Sequence, residues 1–354
     1  MIGDSFFGNK HDVAKKRRML WWQIPFLLFL CIGTFYIVRQ QHSVPFQKDS
    51  GMIFGTFYNI TYQNDKNLKE EIVEVLKRVD SEFSMFNDTS AVSRFNRGEN
   101  IVLSPMFIDV YRMATAIHEE TNGAFDITIA PLVNAWGFGF KTELLPDSMR
   151  VDSLREVIGM DKIQLNEKEQ RLSKTDERVM LDFSAIAKGY GSDCVAQFLR
   201  DKGIDNFMVE IGGEVVTQGI SPKRLPWRIG VTKPVEDSLQ TNQELQTVLN
   251  VTDLAMATSG NYRNFYYKGG HKYAHTIDPR TGYPVQHSLL SSTVLADNCA
   301  VADAYATAFM VMGLERAKEI LEKHKELKAY FIYTNSTGDY DVWFSPSLKD
   351  KINE

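Results

Sequence analysis

The sequence predicts an α+β fold, a mixed architecture of sheets and packed helices preceded by an N-terminal transmembrane helix. Three observations lead there. Segments of two-residue and of helical period are interspersed without regular strand–helix alternation, which disfavours a doubly wound sheet. No Gly-x-Gly-x-x-Gly follows a strand, so a Rossmann dinucleotide site is not expected. An apolar run from about Met19 to Val38 stands apart from the rest of the chain.

That run is broken only by Gln23, Gly33 and Thr34, and at about 1.5 Å per residue it can cross a bilayer as a helix. Lys15, Lys16, Arg17 and Arg18 precede it, whereas only Arg39 and Lys48 closely follow. Positive charge stays on the cytoplasmic side, so the body is expected outside, in the periplasm of a single-pass inner-membrane protein. Trp21, Trp22 and Tyr36 suit the two interfaces. No small-x-small site follows the run, which favours an uncleaved anchor over a signal peptide. Leu28, Phe29 and Leu30 are too bulky for a lipidation box at Cys31. Residues 1–50 are thus read as cytoplasmic terminus, anchor and linker, and 51–354 as the extracytoplasmic domain.

Ordinary apolar and charged fractions, 44% and 24%, indicate a globular body rather than a disordered or fibrous one. A net charge of -5 argues against nucleic acid as a partner, since tracking phosphates needs a basic excess. Cys194 and Cys299 would face an oxidising compartment and could pair, although a buried inert thiol is the plainer reading of each.

Along the body, Gly51–Gln63 alternates as a first strand. Leu68, Ile72, Val75, Leu76, Val79 and Phe83 recur with a helical period. Ser104 and Pro105 open a second helix, through Val110, Met113, Ala114 and Ile117, which Gly123 stops. A shorter helix runs from Asp152 to Gly159, and a longer one from beyond Asp182 toward Gly203. Strands are expected at Phe207–Ile211, Trp227–Val231, Leu245–Val251, Lys272–Ile277 and Ser291–Ala296. A helix from about Ala300 to Met312 ends at Gly313, and another follows directly. Ala329–Tyr333 and Tyr340–Phe344 flank a closing turn at Asn335–Asp339.

Four segments hold residue combinations suited to chemistry. Between Thr121 and Gly139, aromatics and glycines surround Asp126. The segment can offer flat apolar faces to a ring system while Asp126 accepts the ring N–H groups, or it can be aromatic core with Asp126 capping a turn. Between Leu181 and Gly191, Asp182 and Lys188 flank small residues at a loop-to-helix junction. Its free N–H groups and mobile ammonium suit a phosphate, while an ordinary capped helix fits the same pattern. Between Tyr273 and Pro284, His275 leads into a turn fixed by Pro279 and Gly282, with Asp278 and Arg280 building it; a histidine there can move a proton near neutral pH, although a lone histidine is more often structural. Finally, Asp303 and Thr307 are four apart among Ala302, Ala304, Ala306 and Ala308. One helix face would carry both hard oxygen donors, as Mg²⁺ prefers, unless Thr307 bonds back to a carbonyl and Asp303 is merely exposed.

Taken in order, with Val209-Glu-Ile-Gly-Gly-Glu and Ala257-Thr-Ser-Gly-Asn-Tyr added, these segments resemble the FAD:protein FMN transferase (ApbE-like) family from about Phe54 to Gly313. The resemblance implies Mg²⁺-dependent transfer of FMN from FAD to a threonine of an acceptor flavoprotein, releasing AMP. Acceptors in that family are flavin-carrying subunits of membrane redox complexes. It implies FAD contacts at Ala124, Phe125, Asp126, Asp182, Lys188 and Ile277, and metal ligands at Asp303, Thr307 and a carbonyl near Ala185. His275 matches the residue proposed as general base. Two positions depart from the family pattern: Phe54 replaces the methionine of Met-Gly-Thr, and Phe86 stands where tyrosine is common, both at places associated with FAD. Hydrolysis of FAD to FMN and AMP, and flavin binding without turnover, are the competing readings.

Overall fold

A computed structural model of the protein describes residues 23–37, 44–139, 145–235, 244–262 and 264–353. The chain divides into two compact units, Met1–Pro45 and Phe46–Glu354. In the first, residues 23–37 form helix α1. The predicted basic cluster and both ends of the Met19–Val38 run lie outside the described residues. Among the described residues no helix is long and apolar enough to cross a membrane. Helix α1 nonetheless exposes Phe26, Leu27, Phe29, Ile32 and Phe35.

The second unit opens with a hairpin where a single strand was expected. Strands β1 (Phe46–Ile53) and β2 (Thr56–Gln63) pair antiparallel across a two-residue loop, Phe54 and Gly55. Both loop residues have positive φ, +53° and +73°, which matches the right-handed twist of the flanking strands. The alternation of the sequence was right, but Phe54 hid the turn because an aromatic residue rarely takes that conformation.

Helices α2 (Lys69–Phe83), α3 (Ala91–Asn96) and α4 (Pro105–Glu120) follow. Ser104 accepts the Phe107 N–H as N-cap of α4, and Gly123, with φ +75°, returns its N–H to the His118 carbonyl at 2.9 Å. Short helices α5 (Ala130–Ala135) and α6 (Ser148–Arg155) precede the small hairpin β3 (Ile163–Asn166) and β4 (Arg171–Lys174). Asp147 caps α6, so that helix begins and ends about four residues earlier than expected.

The rest comprises α7 (Ala187–Asp201), β5 (Phe207–Ile211), β6 (Glu214–Gln218), β7 (Arg228–Thr232), β8 (Leu245–Asn250) and β9 (Ala255–Gly260). Then come β10 (Phe265–Lys268), β11 (His271–Ala274), β12 (Leu289–Ala296), α8 (Cys299–Met312), α9 (Leu314–Lys323), β13 (Lys328–Thr334), β14 (Tyr340–Phe344) and β15 (Ile352–Asn353). Strand β11 stops at Ala274 rather than Ile277, because the chain there turns toward Pro284, with which Ile277 forms an isolated bridge.

One eight-stranded antiparallel sheet, β1-β2-β5-β6-β9-β12-β13-β14, organises the unit. The two-residue period splits its side chains between two cores. Val294 and Ala257 face a core shared with α4 and α8, while Leu295 and Met256 face one shared with β7 and β8. Toward the β2–β5 side, Ile60, Tyr62, Val209 and Ile211 pack on Leu76 of α2 and Val195 and Leu199 of α7. The helices that carry the predicted site residues therefore lie on one face of a sheet that is covered on both, which fixes them from below. Cys194 and Cys299 are free thiols, Cys299 fully buried, so the pairing considered from sequence does not occur here.

Candidate active site

The site is built where α7 and α8 meet. Gly189 makes the approach possible: a Cβ there would sit 2.3 Å from the Cys299 carbonyl oxygen. Asp193, one turn further along α7, accepts the N–H groups of Cys299 and Ala300, both at 2.8 Å, and so satisfies two orphan donors of α8. Asn298 takes a third, from Val301, at 3.0 Å. Burial pushes the Asp193 carboxyl up to about 6, against the pull of those N–H groups.

This contact delivers Asp303, only 2% exposed, to the start of α7. Its Oδ2 accepts the Gly189 N–H at 3.1 Å and lies 3.7 Å from Lys188 Nζ. A continuing helix would give that N–H to the Ala185 carbonyl; its diversion leaves Ala185 without the helical donor. Lys188 Nζ donates to the Ser184 carbonyl at 3.0 Å and lies 3.5 Å from Glu214 Oε1. Burial raises both carboxylates, Asp303 and Glu214, and the lysine offsets this only in part. Burial alone would lower Lys188, yet Asp303 and Glu214 outweigh it and hold the ammonium above the ordinary lysine range. Thr307, one turn beyond Asp303, shares a 3.0 Å hydrogen bond with the Ser259 hydroxyl rather than with a carbonyl of its own helix.

The segment expected to meet a ring system runs beside the one expected to meet a phosphate. Asp182 N–H donates to the Ile127 carbonyl at 2.7 Å, and Ile129 forms a parallel bridge with Met180. Ala124 and Phe125 are buried. Asp126 Oδ1 accepts from both the N–H and the hydroxyl of Thr128, which builds a turn, while Oδ2 lies 3.4 Å from His118 Nδ1. His118 itself donates to the Phe125 carbonyl at 2.9 Å. Burial raises the Asp126 carboxyl above the usual range despite those donors. Asp182 Oδ1 closes a comparable turn onto the Ser184 N–H at 2.8 Å.

His275 enters from the turn that follows β11. Its Nδ1 lies 3.2 Å from the Asn264 carbonyl oxygen, which can only accept, so Nδ1 carries the proton and Nε2 keeps its lone pair. Burial lowers its pKa and the Lys188 charge lowers it further, against the pull of the Asn264 carbonyl, and this favours the neutral ring. The turn is the one expected from sequence. Asp278 Oδ1 accepts the N–H and Nε of Arg280 while Oδ2 takes Nη2 at 2.8 Å, and the Gly282 N–H bonds the Asp278 carbonyl at 2.8 Å. The predicted aromatics from both sides stack on one another: Trp136 on Tyr273 at 5.6 Å and Tyr273 on Tyr266 at 5.4 Å between centroids. Ile277 is buried with Leu132, Trp136 and Val151, apart from the charged corner.

Phe54 packs against the other glycine of α7, since a Cβ on Gly191 would meet its ring at 2.7 Å. Phe86 lies over Gly55 of the same hairpin loop and is 73% exposed. The hairpin thus carries Phe54 to α7, and Phe86, from the loop between α2 and α3, meets the same hairpin loop.

Sequence reasoning missed Glu214, Asp193 and His118. Glu214 stood in a quoted segment, and its position after Gly212 and Gly213 was the available signal. Asp193 and His118 gave none, because only the helix crossing and the Phe125 turn make them polar partners. Among the described residues no group of three His, Cys, Asp or Glu side chains could hold a metal ion. The donors present instead suit a hard cation in kind: the buried Asp303 carboxylate, the Thr307 hydroxyl and the Ala185 carbonyl, whose helical donor is diverted to Asp303.

A lysine held between two buried carboxylates, on an antiparallel sheet, suits phosphate-centred transfer chemistry, and His275 offers an unprotonated ring nitrogen. Residues 54–331 match the sequence profile of the ApbE family. A FAD:protein FMN transferase of Vibrio cholerae is 37% identical over 287 residues, 78% of this chain and 84% of that protein. One from Haemophilus influenzae is 36% identical over 304 residues, 82% of this chain and 87% of the relative. The solved flavin transferase ApbE from Vibrio cholerae superposes with a TM-score of 0.77 at 34% identity, covering 87% of this chain and all of its own. The apo flavinyl transferase ApbE of Pseudomonas stutzeri gives 0.76 at 28% identity, covering 88% of this chain and 98% of that one. The chain belongs to the ApbE family.

Proposed function

We propose that this protein is a FAD:protein FMN transferase that moves FMN from FAD to a threonine hydroxyl of an acceptor flavoprotein and releases AMP. The observation that carries the reading is the meeting of the α7 start with the Asp303–Thr307 face of α8, which gathers an ammonium, a carboxylate and a hydroxyl and diverts the Gly189 N–H from its helical acceptor. Asp303, Thr307 and the Ala185 carbonyl would hold Mg²⁺, which when bound neutralises charge on the pyrophosphate. Lys188 supplies a fixed positive charge to the same phosphates. His275 Nε2 takes the threonine proton as the oxygen–phosphorus bond forms and the pyrophosphate bridge to AMP breaks. The paired turns at Asp126 and Asp182 are proposed to receive the flavin, with Phe54 and Phe86 at its edge.

Mass spectrometry of a co-expressed acceptor domain tests this. FMN esterified to threonine is expected with the wild-type chain and none with Asp303→Ala. Release of FMN and AMP from FAD with an unlabelled acceptor would instead make the protein a FAD pyrophosphatase. Undisturbed labelling by Asp303→Ala would remove the metal assignment.

We further propose that the Met19–Val38 segment anchors the enzyme in the inner membrane with its body in the periplasm, near flavin-carrying subunits of membrane redox complexes. The apolar side chains exposed on α1 and the basic residues preceding it support this. Recovery of the full chain in the soluble fraction after carbonate washing would exclude it.

A further inference from the structure

Glu214 lies outside the set of residues that the sequence nominated, yet it reaches the same ammonium as Asp303. It begins β6, directly after Gly212 and Gly213, which turn the chain with φ of +64° and +104°. Its main chain is pinned to α7 by a 3.2 Å hydrogen bond from Ser192 Oγ to its carbonyl. The side chain is 4% exposed, Oε1 is 3.5 Å from Lys188 Nζ, and Oε2 has no hydrogen-bond partner among the described residues.

An unpartnered buried carboxylate oxygen lowers stability, so packing alone does not account for this residue. The geometry around Lys188 does. The ammonium is held between two buried carboxylates, 3.5 Å from Glu214 and 3.7 Å from Asp303. An ammonium leaning on Asp303 Oδ2 competes with any cation that the same oxygen is to ligate. For Asp303 to be released, Lys188 needs another acceptor within a side-chain swing, and Glu214 Oε2 is one already in place.

We propose that Glu214 is a positioning residue for the cation site: its carboxylate draws Lys188 off Asp303, freeing Asp303 to bind a divalent cation while the ammonium stays available to substrate phosphates. This rests on the metal assignment made above, and on no movement of either helix. No bond is made or broken in the step; only an ammonium changes its partner.

The test is a double-mutant cycle read by Mn²⁺ binding. Free Mn²⁺ is followed by electron paramagnetic resonance with the full chain in detergent and without FAD. Glu214→Gln is expected to weaken Mn²⁺ binding about tenfold or more, the range typical of residues that orient a metal's ligands. In the Lys188→Met background, with no ammonium to draw away, the same substitution should change affinity less than about twofold. Equal weakening in both backgrounds would make Glu214 a ligand or a distant charge and overturn the proposal. So would an unchanged affinity for Glu214→Gln alone. Asp303→Ala separates the two layers: Mn²⁺ binding that survives it removes the metal assignment, whereas its loss beside an indifferent Glu214→Gln removes only the role of Glu214. Should Glu214→Gln fail to fold, Glu214→Asp, which withdraws the carboxylate by one methylene, is read in the same cycle against the same outcomes.

Discussion

The α7–α8 corner and the turn at His275 bring their groups to one site by opposite means. At the corner, backbone touches backbone, Gly189 leaves no space for a methyl group, and both carboxylates are buried beside a partly exposed Lys188. At the turn, half-buried groups hold a loop through local hydrogen bonds, and aromatic rings brace it from the side. The corner thus derives its precision from packing that spans distant parts of the chain, and the turn mainly from hydrogen bonds among near neighbours in sequence, with Trp136 as a distant brace. A packed corner fails as a whole, taking stability and function together. A locally built turn can lose function while the fold survives.

Three substitutions put that contrast at risk. The largest effect on rate is expected from His275→Gln, which should lower kcat about 10²–10⁴-fold, the usual contribution of a positioned base, with little change in melting temperature. Its pH profile is the sharper measurement. Because burial and Lys188 lower the wild-type pKa, activity should persist below the ordinary histidine pKa and decline only as falling pH protonates the ring. The residual rate of His275→Gln should lack that acidic limb. A melting temperature that falls as far as the rate would mean that the turn is structural after all.

Gly189→Ala comes next. Its Cβ would press on the Cys299 carbonyl and part the helices, at a cost of about 1–3 kcal/mol. Shifting Asp303 relative to Lys188 by roughly an ångström should reduce transfer on the order of 100-fold. Thermal unfolding and labelling rate should therefore move together. Unchanged stability with lost transfer would show that the corner is not the rigid element inferred from its packing.

Arg280→Ala should have the smallest effect, about 1–2 kcal/mol, because the backbone bond from Gly282 to Asp278 remains. Burial would raise the Asp278 carboxyl, but the Arg280 guanidinium and N–H more than compensate and hold it below the ordinary range. The contribution of the pair is thus fully present above the unfolded carboxylate pKa and is lost as pH falls through the lower folded value. The difference in melting temperature between wild type and Arg280→Ala should shrink only in strongly acid buffer.

The same contrast decides what could be read from the sequence. The turn was legible residue by residue: Pro279, Gly282 and the Asp278–Arg280 pair act within a few positions, and local chemistry names them. The Asp303–Thr307 face was legible because helical spacing is local too. Glu214 and Asp193 were not, since each becomes polar machinery only when β6 or α8 is brought against α7 from more than twenty residues away. The hairpin at Phe54 was lost for a different reason, a positive φ at a residue type that seldom adopts it. Of the larger sheet, β5, β12, β13 and β14 were legible as strands, β1 and β2 were read as one, and the central neighbours β6 and β9 were not read at all; nor was the order, because β6 and β9 are separated by β7 and β8, which belong to another sheet.

Asp193 has a further consequence, one that concerns opening rather than chemistry. By accepting the Cys299 and Ala300 N–H groups, it makes the first turn of α8 depend on a side chain of α7. Neither helix can fray at this end without releasing the other, so the two should exchange their amide hydrogens as a single cooperative unit. The ammonium, the carboxylate and the hydroxyl then share one frame of reference.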